Sequence, residues 1–337
     1  MNDMTETSLY PVVPANVPPS VNIIACGGAG INMLRLALPE IAGRVTYTRL
    51  DTSNANLQAG EAATIIGGGG SGLVRNLNAD VAVRTIAGLS DDALNLADVN
   101  IVMCSLSGGS GSVIGPLIVG DIASRRKRMV ILLTIASTQS ERHTINTLNT
   151  LQSLRKIADN SKLYLPTTIF NNGISGQKAV DQAFVYKLSR LVDLLTAPTV
   201  EIDKHDRLHW LNVPKTLDAS LTGLRLLRVE TLAGTKEYSN TEIWPDAAGH
   251  IYDSLLSIGT EQYPVETRPR ARASFEGMFT TIKLVPMYGV IGNPPKAFDD
   301  LVKTINDTLN DYRANTESHD DPFAVGDVHA NRSGLVL

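Results

Sequence analysis

The chain has 337 residues, 43% of them hydrophobic and 19% charged, with a formal net charge of -4. That length exceeds most single small cores, so two modest domains, or one with a substantial appendage, are expected. Mixed charges with a slight acidic excess disfavour a concentrated cationic face without excluding one, so no direct nucleic-acid binding is expected; two cysteines, Cys26 and Cys104, are too few for a disulfide framework and fit a reducing cytoplasm.

Residues 1–20 are proline-rich and acid-bearing, which predicts an extended arm rather than a signal peptide. From Val21 onward, apolar strand-like runs alternate with glycine turns and helical patterns. "VNIIA" enters the turn "CGGAGIN" and the helix "MLRLALPEIAG", and the strand "VTYTRL" ends at Asp51. The cluster "IIGGGGSG" follows, then a helical stretch from Leu77 to Leu89, the strand "VNIVMC", and the turn "CSLSGGSGSVIG". Val113, Ile114, Leu117, Ile118 and Ile122 recur at helical spacing, and that helix is expected to end near Arg125, where a basic run complements a helix C-terminus. "MVILLTIA" is a further buried strand, far shorter than the roughly 20 apolar residues a membrane helix needs, so no membrane partner is expected.

Strands alternating with helices predict a doubly covered parallel sheet of the Rossmann-like α/β class over residues 21–180. A long connecting helix is expected over 181–198, with an apolar stripe at Phe184, Leu188, Leu191 and Leu195, stopped by Pro198. "LRLLRVET", "DAAGHIYDSLLSI" and "MFTTIKLV" predict a smaller α+β domain over 199–294, followed by a C-terminal helix and an acidic-to-polar tail over 295–337.

Glycine permits positive φ and leaves N–H groups unobstructed, so a glycine turn opening a helix is a natural anion site. Three such turns stand at predicted strand ends: Gly27-Gly28-Ala29-Gly30, Gly67 to Gly72, and Ser107 to Ser112. A single polyphosphate contacting all three explains them better than three independent loops. A Rossmann dinucleotide site is a weaker match, because Asp51 could serve as its ribose acid but Met33 replaces its third glycine; no P-loop lysine motif occurs. "HDRLH", His205 to His209, imitates a zincin motif but has Asp in place of its Glu, and a solvated surface is the better reading. Neither cysteine has a histidine nearby in sequence, so both are expected to be small buried residues.

Together these motifs resemble the tubulin/FtsZ superfamily, in the variant of its phage branch. Ser107-Gly108-Gly109-Ser110-Gly111-Ser112 is similar to the family's glycine-rich signature, with serine at the first glycine and at the usual threonine. Gly27, Gly28, Ala29, Gly30 and Asn32 match its opening phosphate loop, and "LDTSNANL", beginning beside Asp51, occupies the place of its second loop. Gly70, Ser71 and Gly72 supply the third turn, and Asn171 is similar to the asparagine that contacts sugar or base. Phe184 and Tyr186 are more often core and surface helix residues than base-stacking platforms, and of the two Phe184 is the candidate to cap the nucleotide ring. The family's N-x-D-x-x-D falls on Glu201, Asp203 and Asp206, departing only at Glu201.

The resemblance implies a GTPase that binds GTP or GDP with Mg2+ and polymerises head to tail with itself. Asp203 and Asp206 of one subunit would be the catalytic acids for the nucleotide of the next. It further implies a tail that docks on a neighbouring subunit, a location in the host cytoplasm, and indirect service to phage DNA or capsids. A nucleotide-regulated scaffold with little hydrolysis and a Rossmann oxidoreductase stay open as alternatives at this level.

Overall fold

The computed structural model describes residues 18–172, 176–196, 204, 208, 223–231, 287–291 and 295–317. Its centre is one sheet in the order β3-β2-β1-β4-β5-β6-β7-β8. Strands β1 (Val21–Cys26), β2 (Thr46–Asp51), β3 (Thr64–Ile65), β4 (Val99–Ser105), β5 (Met129–Ala136), β6 (Tyr164–Asn171) and β7 (Gly223–Thr231) pair in parallel. β8 (Met287–Ile291) joins the edge antiparallel to β7. β1 and β4 are buried at every position, which is why they read as unbroken apolar runs.

The strand period of two divides these side chains between two cores. On one face Ile23, Ala25, Ile101, Met103, Ile131 and Leu133 meet helices α1 (Gly27–Ile41) and α5 (Gln177–Thr196). On the other, Ile24, Cys26, Val102, Cys104 and Leu132 meet α2 (Ala79–Gly88), α3 (Gly111–Gly120), α4 (Glu141–Asn160) and α6 (Pro295–Glu317). From α6, Leu301, Ile305 and Leu309 are buried there, each worth about 1.5–3 kcal/mol of apolar transfer. The Tyr312 hydroxyl also donates to the Thr138 carbonyl at 2.6 Å, so α6 is part of this body rather than an appendage.

Several element boundaries differ from expectation. The long helix begins at Gln177, four residues before the expected 181, and ends at Thr196. The stretch predicted from Leu77 opens as a 3-10 turn, Arg75–Asn78, before α2. α3 passes into a π turn, Asp121–Arg125, where Arg126 donates to Asp121 Oδ2 at 2.7 Å. "LRLLRVET", assigned by sequence to the smaller domain, instead hydrogen-bonds to β6 and extends the main sheet. Apart from β7, β8 and residues 204 and 208, the α+β domain expected over 199–294 lies outside the described residues, as do residues 1–17 and the tail.

Connections from β1 run outward to β2 and β3, then return to β4 and continue to β7. The direction therefore reverses between β1 and β4, the place where open α/β sheets bind ligands.

Candidate functional site

Two helices start at that reversal, one directly and one after a short turn. Gly27 follows β1 directly with φ +72, and α3 opens at Gly111 immediately after the turn that leaves β4. A methyl group on Gly27 would lie 2.6 Å from the Gly111 nitrogen, and one on Gly111 would lie 2.8 Å from the Cys26 carbonyl oxygen. Both glycines are required because the two turns cross backbone against backbone. Gly30 has a third packing role: a methyl there would lie 2.5 Å from the Met103 carbonyl oxygen, so α1 rides directly on β4. Neither Cys26 nor Ser110, the residues preceding α1 and α3, caps its helix through its side chain. Two sets of amide donors and two positive dipole ends thus share one point, an arrangement suited to an anion.

The third glycine turn is tied to the second. Ser110 Oγ lies 2.6 Å from Thr52 Oγ1 and 3.3 Å from Ser71 Oγ, linking the turn after β2, residues 67–72 and residues 107–112. Asn78 Nδ2 donates to the Gly70 carbonyl at 2.9 Å. From α4, Asn146 Nδ2 donates to both the Leu73 carbonyl at 3.1 Å and the Ser107 carbonyl at 3.0 Å, clamping the two turns with one amide group. Beneath them, Ser105 Oγ accepts from the Ser107 and Gly108 amides, each at 3.2 Å, and Ser112 Oγ donates to the Gly109 carbonyl at 3.1 Å. The three turns predicted from sequence are therefore neighbours.

Beside the turns an open cleft of about 510 Å³ runs over the carboxyl ends of β4 and β5 toward the start of α5. Gly28, Ala29 and Asn32 line it, as do Asn56, Asn172 and Asp181. Asn172 Oδ1 is buried with no hydrogen-bond partner among the described residues. Burial raises the Asp181 carboxyl above its ordinary value. One wall is braced by Arg35, which donates to Asn32 Oδ1 at 2.7 Å, to the Asn56 carbonyl at 2.9 Å and to Glu61 Oε2 at 2.6 Å. Hydrogen bonds from Arg35 and from the Gln58 amide hold the Glu61 carboxyl down at about 2.

Other expected residues fall into place less simply. Asp51 is buried with both oxygens engaged, Oδ1 by the Thr52 amide at 2.7 Å and Oδ2 by Asn56 at 2.9 Å, so it builds the loop that carries Thr52 and Asn56. Met33 is buried in the core, and the oxidoreductase reading is left with neither its third glycine nor an uncommitted ribose acid. Asn171 ends β6 and is buried next to the cleft residue Asn172. Phe184 does not reach the cleft: it is 1% exposed, with its ring centroid 5.0 Å from that of Phe170, so its role as a ring cap is corrected to core packing. Asp203, Asp206 and Glu201 lie outside the described residues. Cys26 and Cys104 face each other in register and are buried. Burial pushes the Cys104 thiol up to about 12 and Cys26 well above its usual value, which makes both poor nucleophiles.

Sequence reasoning missed Arg35, Asn56, Asn146, Asn172 and Asp181, along with Arg75, which desolvation lowers to about 10 while it donates to the Ser112 carbonyl at 3.2 Å. Only Asn56, inside the quoted "LDTSNANL", Asn172, beside the singled-out Asn171, and Asp181, at the head of the helical pattern, carried a visible signal.

No protein-family model matches the chain. A phage tubulin-like protein of Pseudomonas phage 201phi2-1 is 27% identical over 221 residues, 64% of this chain and 68% of that one. A second phage tubulin-like protein, from Pseudomonas phage PhiPA3, is 28% identical over 120 residues, 35% of this chain and 38% of that one. The fold agrees. A structure of the phage tubulin PhuZ with GDP superposes with a TM-score of 0.68 at 20% identity, covering 94% of this chain and 99% of that one. A protofilament of TubZ from bacteriophage PhiKZ gives 0.66 at 19%, with the same coverage.

The chain is similar in sequence to phage tubulin-like proteins, and its fold is that of the phage tubulins PhuZ and TubZ. Within this fold, the crossed glycine turns lie at the sheet reversal and the long helix α5 borders the cleft. Among the described residues no helix is long and apolar enough to cross a membrane.

Proposed function

We propose that the chain is a GTPase that assembles head to tail, with each nucleotide hydrolysed at the junction between two copies. The nucleotide's phosphates would lie on the amides of residues 27–30 and 107–112, where fixed dipoles stabilise negative charge without reorganising. Its base would lie in the cleft, where the Asp181 carboxylate can accept the two N–H donors of a guanine edge that adenine lacks, and Asn172 Oδ1 offers a further acceptor. Among the described residues no cluster of three metal-ligating side chains occurs. Mg2+ would be held chiefly by the phosphates, as it commonly is, and would supply charge neutralisation. The hydroxyls of Thr52, Ser71 and Ser110 are the protein donors at hand for it.

One observation carries the shared-site reading. Lys204, between Asp203 and Asp206 in sequence, pairs with Asp98 at the amino end of β4, whereas the phosphate turns stand at the carboxyl end. Those ends are about 20 Å apart at ~3.3 Å per residue, and two further residues of chain span only about 7 Å. An acid beside Lys204 is therefore suited to a nucleotide on another copy, and a head-to-tail repeat brings opposite ends together. The cellular task we propose for such a filament is positioning phage DNA or virions in the host.

Phosphate release from GTP is expected to rise more steeply than linearly with protein concentration, and Asp206→Ala should give persistent polymer, seen by light scattering, with little turnover. Linear release unaffected by that change would overturn the shared site, and assembly without release would make the chain a nucleotide-regulated scaffold.

A further inference from the structure

Asp98 and Ser20 stand immediately before β4 and β1, the two strands that deliver the crossed phosphate turns. They lock together. Asp98 Oδ2 accepts from the Ser20 amide at 2.8 Å and from its hydroxyl at 2.7 Å, and the Asp98 amide donates back to Ser20 Oγ at 3.0 Å. The remaining oxygen, Oδ1, lies 2.7 Å from Lys204 Nζ. Four residues on in sequence, Leu208 packs against the core that contains Val21, Ile23 and Val99. Lys204 and Leu208 are thus each held, four residues apart in sequence, one by an ionic contact and one by an apolar contact. Burial opposes charge on Asp98, but the bonds from Lys204 and Ser20 outweigh it and keep the carboxyl below its ordinary value.

An exposed ion pair contributes little to stability, about 0–1 kcal/mol, so stability alone is a weak account of this one. Its other consequence is geometric. Ser20 fixes the carboxylate to the two strands, and the carboxylate fixes the lysine between the two acids. We infer that Asp98 is a positioning residue that, through Lys204, sets the acidic segment for hydrolysis in the neighbouring copy. This rests on the shared-site reading above. Strands β1 and β4 then join the two halves rigidly: the end that receives a nucleotide and the end that acts on the next are built on the same pair of strands.

The test is GTP turnover per sedimented subunit of the full-length chain. Lys204→Met and Asp98→Asn should each lower it roughly 5- to 50-fold, as expected when a reacting group is displaced by about 1 Å. Their double variant should be no worse than either single one, and Lys204→Arg should retain wild-type turnover. GDP affinity of the unassembled chain and the melting temperature should be unchanged for Lys204→Met, so that the lost turnover cannot come from lost folding or lost nucleotide binding. Added salt should lower wild-type turnover per sedimented subunit toward the Lys204→Met value while leaving that variant nearly constant, because the pair is open to screening. Wild-type turnover linear in protein concentration would sink the shared site and this inference together. Cooperative wild-type turnover with an unaltered Lys204→Met variant, or additive losses in the double variant, would overturn this inference alone.

Discussion

Gly27 and Gly108 separate two reasons for a glycine in the same site. At Gly27 a side chain meets the Gly111 backbone at 2.6 Å in a left-handed conformation, so Gly27→Ala should cost at least about 1–2 kcal/mol and lower the melting temperature. A methyl group on Gly108 would meet only ordinary contacts, the nearest being the Ser105 side chain at 3.7 Å. Gly108→Asp is therefore expected to fold normally yet place a carboxylate where the phosphates would lie. Melting curves near wild type, with GTP binding lost in a fluorescent-nucleotide titration, are the expected result. Unchanged binding would move the phosphates away from the 107–112 turn.

At the level of elements, Asn146 shows how a helix on one face of the sheet organises the loops at its end. Its amide group holds the Leu73 and Ser107 carbonyls together, and Leu73 itself sits at φ +65, a conformation that needs such support. Asn146→Ala should cost about 1–3 kcal/mol through the two unsatisfied carbonyls and weaken nucleotide binding by loosening both turns. Hydrogen exchange confined to residues 67–74 and 105–112 would report it. The strands and glycine turns are legible in sequence because buried parallel strands are continuous apolar runs and because a backbone crossing leaves glycine as its trace. Asn146 and Arg35 leave no such trace, since the partners they tie to the site lie as far as 73 and 26 residues away. Phe184 misleads for a related reason. An aromatic at helical spacing reads the same whether it faces a base or, as here, Phe170. The early start of α5 at Gln177 is hidden because its first turn is polar, and the apolar stripe becomes visible only from Val180 and Phe184 onward.

For the whole molecule, the proposed division of the site between two ends would make the polymer, rather than the subunit, the catalytic unit. The interface proposed is heterologous: each copy would offer the glycine turns to one neighbour and the acids near Lys204 to the other. Two defective variants should then complement each other. A chain carrying Gly108→Asp cannot present nucleotide but keeps its acids, and a chain carrying Asp206→Ala holds nucleotide but lacks one acid. In a random equal mixture about one interface in four pairs an intact nucleotide end with an intact acidic end, so mixing should restore roughly a quarter of wild-type turnover per sedimented subunit. Each variant alone, at the same total concentration, should stay near the background rate. A site contained within one subunit forbids this recovery, because every subunit in the mixture carries a lesion. The recovered rate should also fall more steeply than either component on dilution, since it requires both chemistry and a mixed junction. Recovery that stays proportional to protein concentration would instead place both lesions outside the rate-limiting contact.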